Sequence, residues 1–415
     1  MLLKKIINLM SIKVLLKKNI VVSIINSKFK CWQLKYYRYK LLTKYNKIAK
    51  RKKYNYSEVE SIIEFKTKLK NKNSNFFPKS KGHLRILFLG TDPNQDQSGF
   101  IQALEKIGYV SVFYRREEDV SKIFSLKGFH AKKNRNKILA KIDNELKTHF
   151  DREIQIGGID LVIGQMQAIN TSLNILKYMS AKGVVVINIS MDDRLPGLWT
   201  KKNGLRLGSI GLAPSLDLVL TTAPETCSWY GIEGCPSLFF PLASCSEIFE
   251  NKDGENRDID VLFIGNKYGV REKIITDLEK RGISVQAYGS GWKNGKVDVN
   301  KMSLLSKKAK IILGIGTIGH CENTYTLKLR DFDAPMSGAL YITHRNPDLN
   351  YFFIEGEDIE FYETIDELAT KIKFYLEHDL KREKIAKSGQ DKVVKYHNWD
   401  KRLSEIFIKI GLLTN

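Results

Sequence analysis

The sequence predicts an α/β fold of two parallel-sheet domains in series, preceded by a basic extension. Three observations carry that expectation. Apolar runs at residues 85–90 and 259–265 each end in a glycine, Gly90 and Gly265, and each opens a strand–glycine–helix unit. Further apolar runs follow both at intervals long enough for a crossover helix, the arithmetic of an open parallel sheet. The charge is also unevenly placed. The first 80 residues hold 21 Lys+Arg against 3 Asp+Glu, whereas the other 335 hold 47 against 43. Of the net +22, therefore, +18 belongs to the extension and the body is nearly neutral. A chain of 415 residues is long enough for two domains and an appendage.

The extension, residues 1–80, is rich in lysine and asparagine, with Trp32, Tyr36, Tyr37 and Tyr39 among them. Leu3, Ile7, Met10 and Val14 recur at helical spacing between lysines, which reads as a basic amphipathic helix. Such a segment suits an anionic membrane surface, nucleic acid or a protein partner, or a solvated leader. No apolar run reaches the ~18–20 residues of a membrane span, and no secretory cleavage site is expected.

The body begins with the strand 85–90, a polar loop 91–99 and a helix 100–108. Strands are expected at 110–114, 160–164, 183–188 and 216–221. The stretch 251–257 reads as a linker, which places the domains at 81–250 and 251–415. The second half repeats the pattern: strand 259–265, helix 271–281, and strands 284–288, 309–313 and 339–343. Thr364 and Glu367 make a capping box ahead of Ile365, Leu368, Ile372 and Tyr375, which share a helical face. Five cysteines without a C-x-x-C pair (Cys31, Cys227, Cys235, Cys245, Cys321) point to reduced thiols and a cytoplasmic setting.

Ligands of open α/β sheets sit beyond the carboxyl ends of the strands, where Gly90 and Gly265 fall. Neither loop is a G-x-G-x-x-G or a G-x-x-x-x-G-K-[ST], so an ordinary dinucleotide enzyme or P-loop ATPase is disfavoured. After Gly314 and Gly316, residues 326–333 read as a short helix stopped by Pro335, with Lys328 and Arg330 near its start. Cations are unfavourable at that end of a helix unless an anion such as a diphosphate lies there. Asp333, a turn further on, could accept two ribose hydroxyls. A plain surface ion pair between Arg330 and Asp333 competes with this. Asp92, Asp96, Asp192 and Asp193 follow strands in the first half and are candidates for an acceptor base. A divalent-ion site at the Asp-Asp pair, or a simple polar loop, accounts for the same residues. No metal ligands are assigned, and His83 and His320 are expected to be structural or exposed.

The run from Arg330 through Asp333, Pro335 and Gly338 to Thr343 resembles the R-x-F-E-x-P-x-x-G-x-x-x-x-T core of the spore-maturation CgeB-like glycosyltransferases. Residues 263–271, 288–292, 350–357, 362–376, 382–389 and 397–402 continue the likeness. It covers 258–405 well, 83–250 loosely, and leaves out the first 80 residues. The resemblance implies a GT-B type fold, two Rossmann-like domains facing across a cleft, with the C-terminal one holding a UDP-, GDP- or other nucleotide-sugar donor. It implies hexosyl transfer to an unnamed acceptor, with no cofactor beyond that substrate. Asp333 takes the place of the ribose-binding glutamate of an E-x(7)-E motif, while Tyr325 stands where the first acid would be. Gly265 and Arg271 match a loop that faces the diphosphate. The nucleotide set is thus Gly265, Arg271, Lys328, Arg330, Asp333 and Gly338, and the base is sought among Asp92, Asp192 and Asp193. A non-catalytic nucleotide- or sugar-binding protein on the same fold is the alternative, and a scaffold behind a basic tail is another. The cytoplasmic protein would sit at the membrane periphery through residues 1–80.

Overall fold

The computed structural model describes residues 28–126, 130–202, 204–252, 254, 256–318, 321 and 324–415. The helix expected around Leu3 to Val14, and His320, lie outside the described residues.

Apolar runs of β-branched and leucine residues form two all-parallel sheets, buried on both faces as such runs must be. The first contains β1 (Leu84–Gly90), β2 (Gly108–Tyr114), β3 (Leu161–Gly164) and β4 (Val185–Ser190). A small antiparallel hairpin, β5 (Lys201–Lys202) and β6 (Leu205–Arg206), stands apart before the sheet resumes with β7 (Leu218–Thr221) and β8 (Ser237–Phe239). Its strand order is β2-β1-β3-β4-β7-β8. The second sheet uses β9 (Ile259–Ile264), β10 (Gln286–Tyr288), β11 (Ala309–Gly314), β12 (Leu340–His344) and β13 (Glu360–Tyr362), in the order β10-β9-β11-β12-β13. Strand order reverses between β1 and β3 in one sheet and between β9 and β11 in the other. Those two switch points, where crossover helices leave on opposite faces, open crevices at the carboxyl ends of the strands.

The chain passes between the sheets twice. Residues 240–258 lead from β8 to β9, and the segment before the helix Trp399–Ile410 returns. The two passages touch: Ser244 N–H donates to the His397 carbonyl at 3.0 Å, and Trp399 N–H to the Ser244 carbonyl at 2.9 Å. Trp399 then meets Phe100 edge-on at 5.0 Å and seals the helix Trp399–Ile410 onto the first half. A division that gives all of 251–415 to the second half therefore separates this last helix from the layer on which it packs.

The segment 1–80 is likewise less of an appendage than its charge suggests. Helix α1 (residues 28–52) buries Leu41 and Tyr45, the latter stacked on Trp229 at 4.8 Å. Helix α2 (Glu58–Lys72) starts at Ser57, whose hydroxyl accepts from Glu60 N–H, and buries Ile62, Phe65 and Leu69 in the main core. Among the described residues no helix is long and apolar enough to cross a membrane.

The expectation of five reduced thiols is corrected. Cys31 on α1 and Cys321, which follows β11, form a disulfide with Cα atoms 4.9 Å apart, while Cys227, Cys235 and Cys245 are buried and free. Residues 290 apart in sequence meet here, a proximity that spacing alone could not reveal.

Candidate functional site

The two switch points face one another across a cleft of about 530 Å³. Asp92, Asn94, Gln95, Gln165 and Asp192 line it from the first half; Gly265, Asn266, Lys328, Arg330 and Asp333 line it from the second.

On the second side, β9 delivers its chain end into a tightly braced turn. Gly265 N–H donates to the Tyr288 carbonyl at 2.8 Å, and its carbonyl accepts from the Trp292 indole at 2.7 Å. A Cβ at Gly265 would lie 2.5 Å from Arg330 Nη2, so only glycine lets that guanidinium approach. Arg330 spends Nε (2.9 Å) and Nη2 on the Ile264 carbonyl and lies 4.6 Å over the Phe263 ring. Arg271, behind the turn rather than in the lining, donates to the Asn266 carbonyl at 2.8 Å and sits 4.2 Å over Tyr268. Neither guanidinium has a carboxylate partner among the described residues, and Arg330 Nη1 and Arg271 Nε are buried without any hydrogen bond. Burial, with Arg330 next to it, pushes Arg271 down to about 10. Two adjacent cations, neither in a direct ion pair and each with a buried nitrogen left unpartnered, make this side of the cleft a place for an anion.

The segment ahead of β12 departs from the expected helix. Residues 326–329 are not helical; the helix is Arg330–Met336, and Pro335 lies within it. Asp331, missed in the sequence reading, organises the turn before it. It accepts from Lys328 N–H at 2.7 Å and from the Tyr341 hydroxyl at 2.6 Å, which sets Lys328 at the cleft wall. Asp333 is a buried part of the lining with Oδ1 unpartnered. Burial pushes its carboxyl up to about 8, incompletely opposed by the nearby Ser244 hydroxyl and the Arg330 charge. The proposed surface ion pair is not formed.

Gly338 is not at the site. Its φ of +71° closes the helix Arg330–Met336, and a Cβ there would meet Arg257 and Gln390. It serves the turn into β12.

The acidic candidates divide. Asp92 and Asp192 line the cleft, Asp92 also capping the turn Pro93–Asp96. Asp96 is buried, accepts from Thr91 N–H (2.9 Å) and Asp92 N–H (3.2 Å), and is pushed up by burial to about 6. Asp193 is corrected: it points into the core, taking hydrogen bonds from Thr221 (2.7 Å) and Tyr230 (2.8 Å), and cannot reach an acceptor. Asp192 faces the cleft and Asp193 the core, so the two do not pair on a metal. Among the described residues no cluster of three His, Cys, Asp or Glu could hold one. His83 is exposed, with Nδ1 3.0 Å from Ser80 Oγ.

Beside the cleft lies a group that spacing did not show. Arg194 makes paired hydrogen bonds to Glu225, both 2.9 Å, contacts both oxygens of Asp348 across the interface, and donates to the Tyr325 carbonyl at 3.2 Å. Arg38 of α1 joins through Glu225 at 2.7 Å. Tyr325, the non-acidic position of the E-x(7)-E comparison, therefore lies at a clamp between the halves.

Two facing parallel α/β layers with a cleft at their switch points define the GT-B fold. Residues 271–407 match the family described as glycosyl transferase-like. Among solved structures, sucrose-phosphate synthase from Thermosynechococcus elongatus is similar at 11% identity and TM-score 0.54, covering 78% of this chain and 97% of that one. Anabaena HepE in complex with UDP-glucose has the same identity and score over 78% and 99%. An α-glucosyltransferase in complex with UDP-glucose and abasic-site DNA reaches 0.53 at 11% over 79% and 100%. No curated protein matches the chain.

Proposed function

We propose that the protein is a glycosyltransferase that takes a hexose from a nucleotide-sugar, a UDP-sugar first among donors, and passes it to an acceptor hydroxyl. The observation that carries the reading is the pair of guanidinia without an ion-pair partner, Arg330 and Arg271, packed about Gly265 where β9 ends in the cleft. The glycosyl transferase-like match across 271–407 includes Arg271, Lys328, Arg330 and Asp333, and two of the similar structures hold UDP-glucose. The finer assignment to the CgeB-like branch rests on the run from Arg330 to Thr343.

In this reading Asp333 accepts hydrogen bonds from the ribose hydroxyls. Arg330 and Lys328 face the diphosphate, with Arg271 adding charge from behind, and stabilise it as it departs. Asp92 or Asp192, on the opposite wall, takes the proton of the acceptor hydroxyl. The domains hinge about residues 245–260, where the two passages cross. The basic N-terminal segment meets an anionic surface.

A screen of UDP-, GDP- and CMP-linked sugars, followed by nucleotide release, tests the function. Turnover-independent binding of a donor without release of nucleotide in the presence of any acceptor extract would instead favour a nucleotide-binding protein on this fold.

A further inference from the structure

Helix α1 has two unlike faces. Its inner face is fixed to the body: the Tyr45 hydroxyl donates to Glu233 at 2.7 Å, Arg38 pairs with Glu225, and Lys52 donates to the Ile232 carbonyl at 3.2 Å. Among the described residues no element covers its outer face. Phe29, Trp32, Tyr36, Tyr37 and Tyr39 are between 38% and 68% exposed, and they make up five of the seventeen exposed large hydrophobics among the described residues. The concentration of five within eleven positions separates this face from ordinary scattered exposure. Phe29 stacks on Trp32 at 6.0 Å and Trp32 on Tyr36 at 5.3 Å, a continuous strip along one side of the helix. Lysines flank it throughout, Lys40 lying 4.6 Å over the Tyr36 ring. The first acidic residue of the chain is Glu58, after 16 Lys and Arg.

We infer that this outer face docks the protein on an anionic lipid bilayer. Tyrosine and tryptophan rings favour the headgroup level, where an apolar body and a polar tip are both accommodated. Lysines on the same face keep their stems on the apolar strip and place their charges at lipid phosphates. Nucleic acid would share the charge, but its bases need aromatic faces open to stacking. Here the faces of Phe29, Trp32 and Tyr36 are turned to one another and present their edges. The sequence leading into α1 is also apolar and lysine-bearing without an acid, from Leu2 to Ile25, which suits lipid and not a polynucleotide. On its flank, Lys35, Arg38 and Tyr39 border a cavity of about 500 Å³ whose other walls include Arg194, Tyr325 and Asp348. Docking thus sets the seam between the two halves at the bilayer surface. This deepens the proposed function by favouring acceptors presented at a membrane, but the docking step does not depend on sugar transfer.

The full chain is sedimented with vesicles of phosphatidylcholine alone and of an equal mixture of phosphatidylcholine and phosphatidylglycerol. Binding to the mixture only, released at high salt, is expected. The double variant Trp32→Ala/Tyr36→Ala should bind about tenfold more weakly, and so should Lys28→Gln/Lys30→Gln/Lys40→Gln. UDP titration, run on each variant, reports the fold and the donor site separately. Unaltered UDP affinity with lost vesicle binding supports docking by this face; lost UDP affinity in the wild type counts only against the donor reading. The inference is overturned by wild-type protein that ignores anionic vesicles, by variants that bind them as well as wild type, or by retention of single-stranded RNA with no retention of lipid.

Discussion

Asp333 is held where its charge is poorly accommodated, and this gives the residue a pH signature. Its folded value of about 8 lies above the ordinary carboxylate value of 3.8. The folded state therefore holds a proton that the unfolded chain has released, and stability falls as pH rises from about 4 to about 8. Asp333→Asn should remove that slope, with melting temperatures of variant and wild type diverging toward alkaline pH in favour of the variant. Binding should respond in the opposite sense. Ribose hydroxyls donate best to the ionised carboxylate, so UDP affinity should climb across the same range in the wild type and stay flat in Asp333→Asn. Charge-assisted bonds contribute ~1.5–3 kcal/mol, so the variant should bind at least roughly tenfold more weakly at pH 8. Equal affinities in calorimetric titrations at that pH would remove Asp333 from the donor site. Gly265→Ala tests the diphosphate side. A methyl 2.5 Å from Nη2 must push the Arg330 side chain away. The variant should lose UDP affinity by about tenfold while uridine binding stays constant, as Arg330→Ala should. Arg330 and Asp333 fall within a contiguous motif, and both stand at the cleft wall. Asp193 and Gly338 were misread because sequence adjacency does not say which way a side chain points or whether a glycine serves a turn.

At the scale of elements, long apolar runs were legible, and of the three-residue edge strands only β10 was expected. β1, β9, β11 and β12 carry three or four consecutive apolar residues, and each was expected within two residues of its observed ends. β8 and β13 have three residues each at sheet edges. Glu360-Phe-Tyr362 is masked by the acidic residues around it. The helix at Arg330 was expected to stop at Pro335 but runs to Met336. In so short an element the proline forfeits one hydrogen bond, and burial of residues 331–336 outweighs it. The Arg194 clamp was invisible because its members come from α1, the loop after β4, the helix Pro224–Ile232 and the loop after β12. Arg194 is largely buried and holds Glu225 below the usual carboxylate range although burial alone would raise it. Arg194→Ala takes the counter-charge from Asp348 and leaves Glu225 with Arg38 alone, which should cost about 3 kcal/mol in denaturant unfolding. It should also speed protease cleavage within residues 240–258, because the halves lose their bridge beside Tyr325. Unchanged cleavage with lowered stability would make the cluster a local support only.

For the molecule as a whole, charge was the observation that misled. Counting lysines separates residues 1–80 from the body, yet α2 lies inside that stretch and closes the core beneath β1 and β8. The signal was present in Ser57 and Glu60, a capping box ahead of Ile62, Phe65 and Leu69, and the surrounding lysines outnumbered it. Lysine stems can cover a surface while the helix beneath them packs, so net charge alone cannot tell a tail from an integral helix. Phe65 is fully buried and packs in the cluster that also holds Leu84, Ile107, Ile410 and Leu412, which links the start of the chain, the first sheet and the final helix. Phe65→Ala should therefore destabilise the protein by about 3–5 kcal/mol. A peripheral tail predicts no more than ~0.5 kcal/mol for a surface substitution. Equilibrium unfolding in urea separates the two by its midpoint at constant slope. Deleting residues 1–72 removes Ile62, Phe65 and Leu69 together, at about 1.5–3 kcal/mol each, on the order of the whole stability of a domain. That truncation should fail to bind UDP because it fails to fold. A soluble truncation with wild-type UDP affinity would return α2 to the tail.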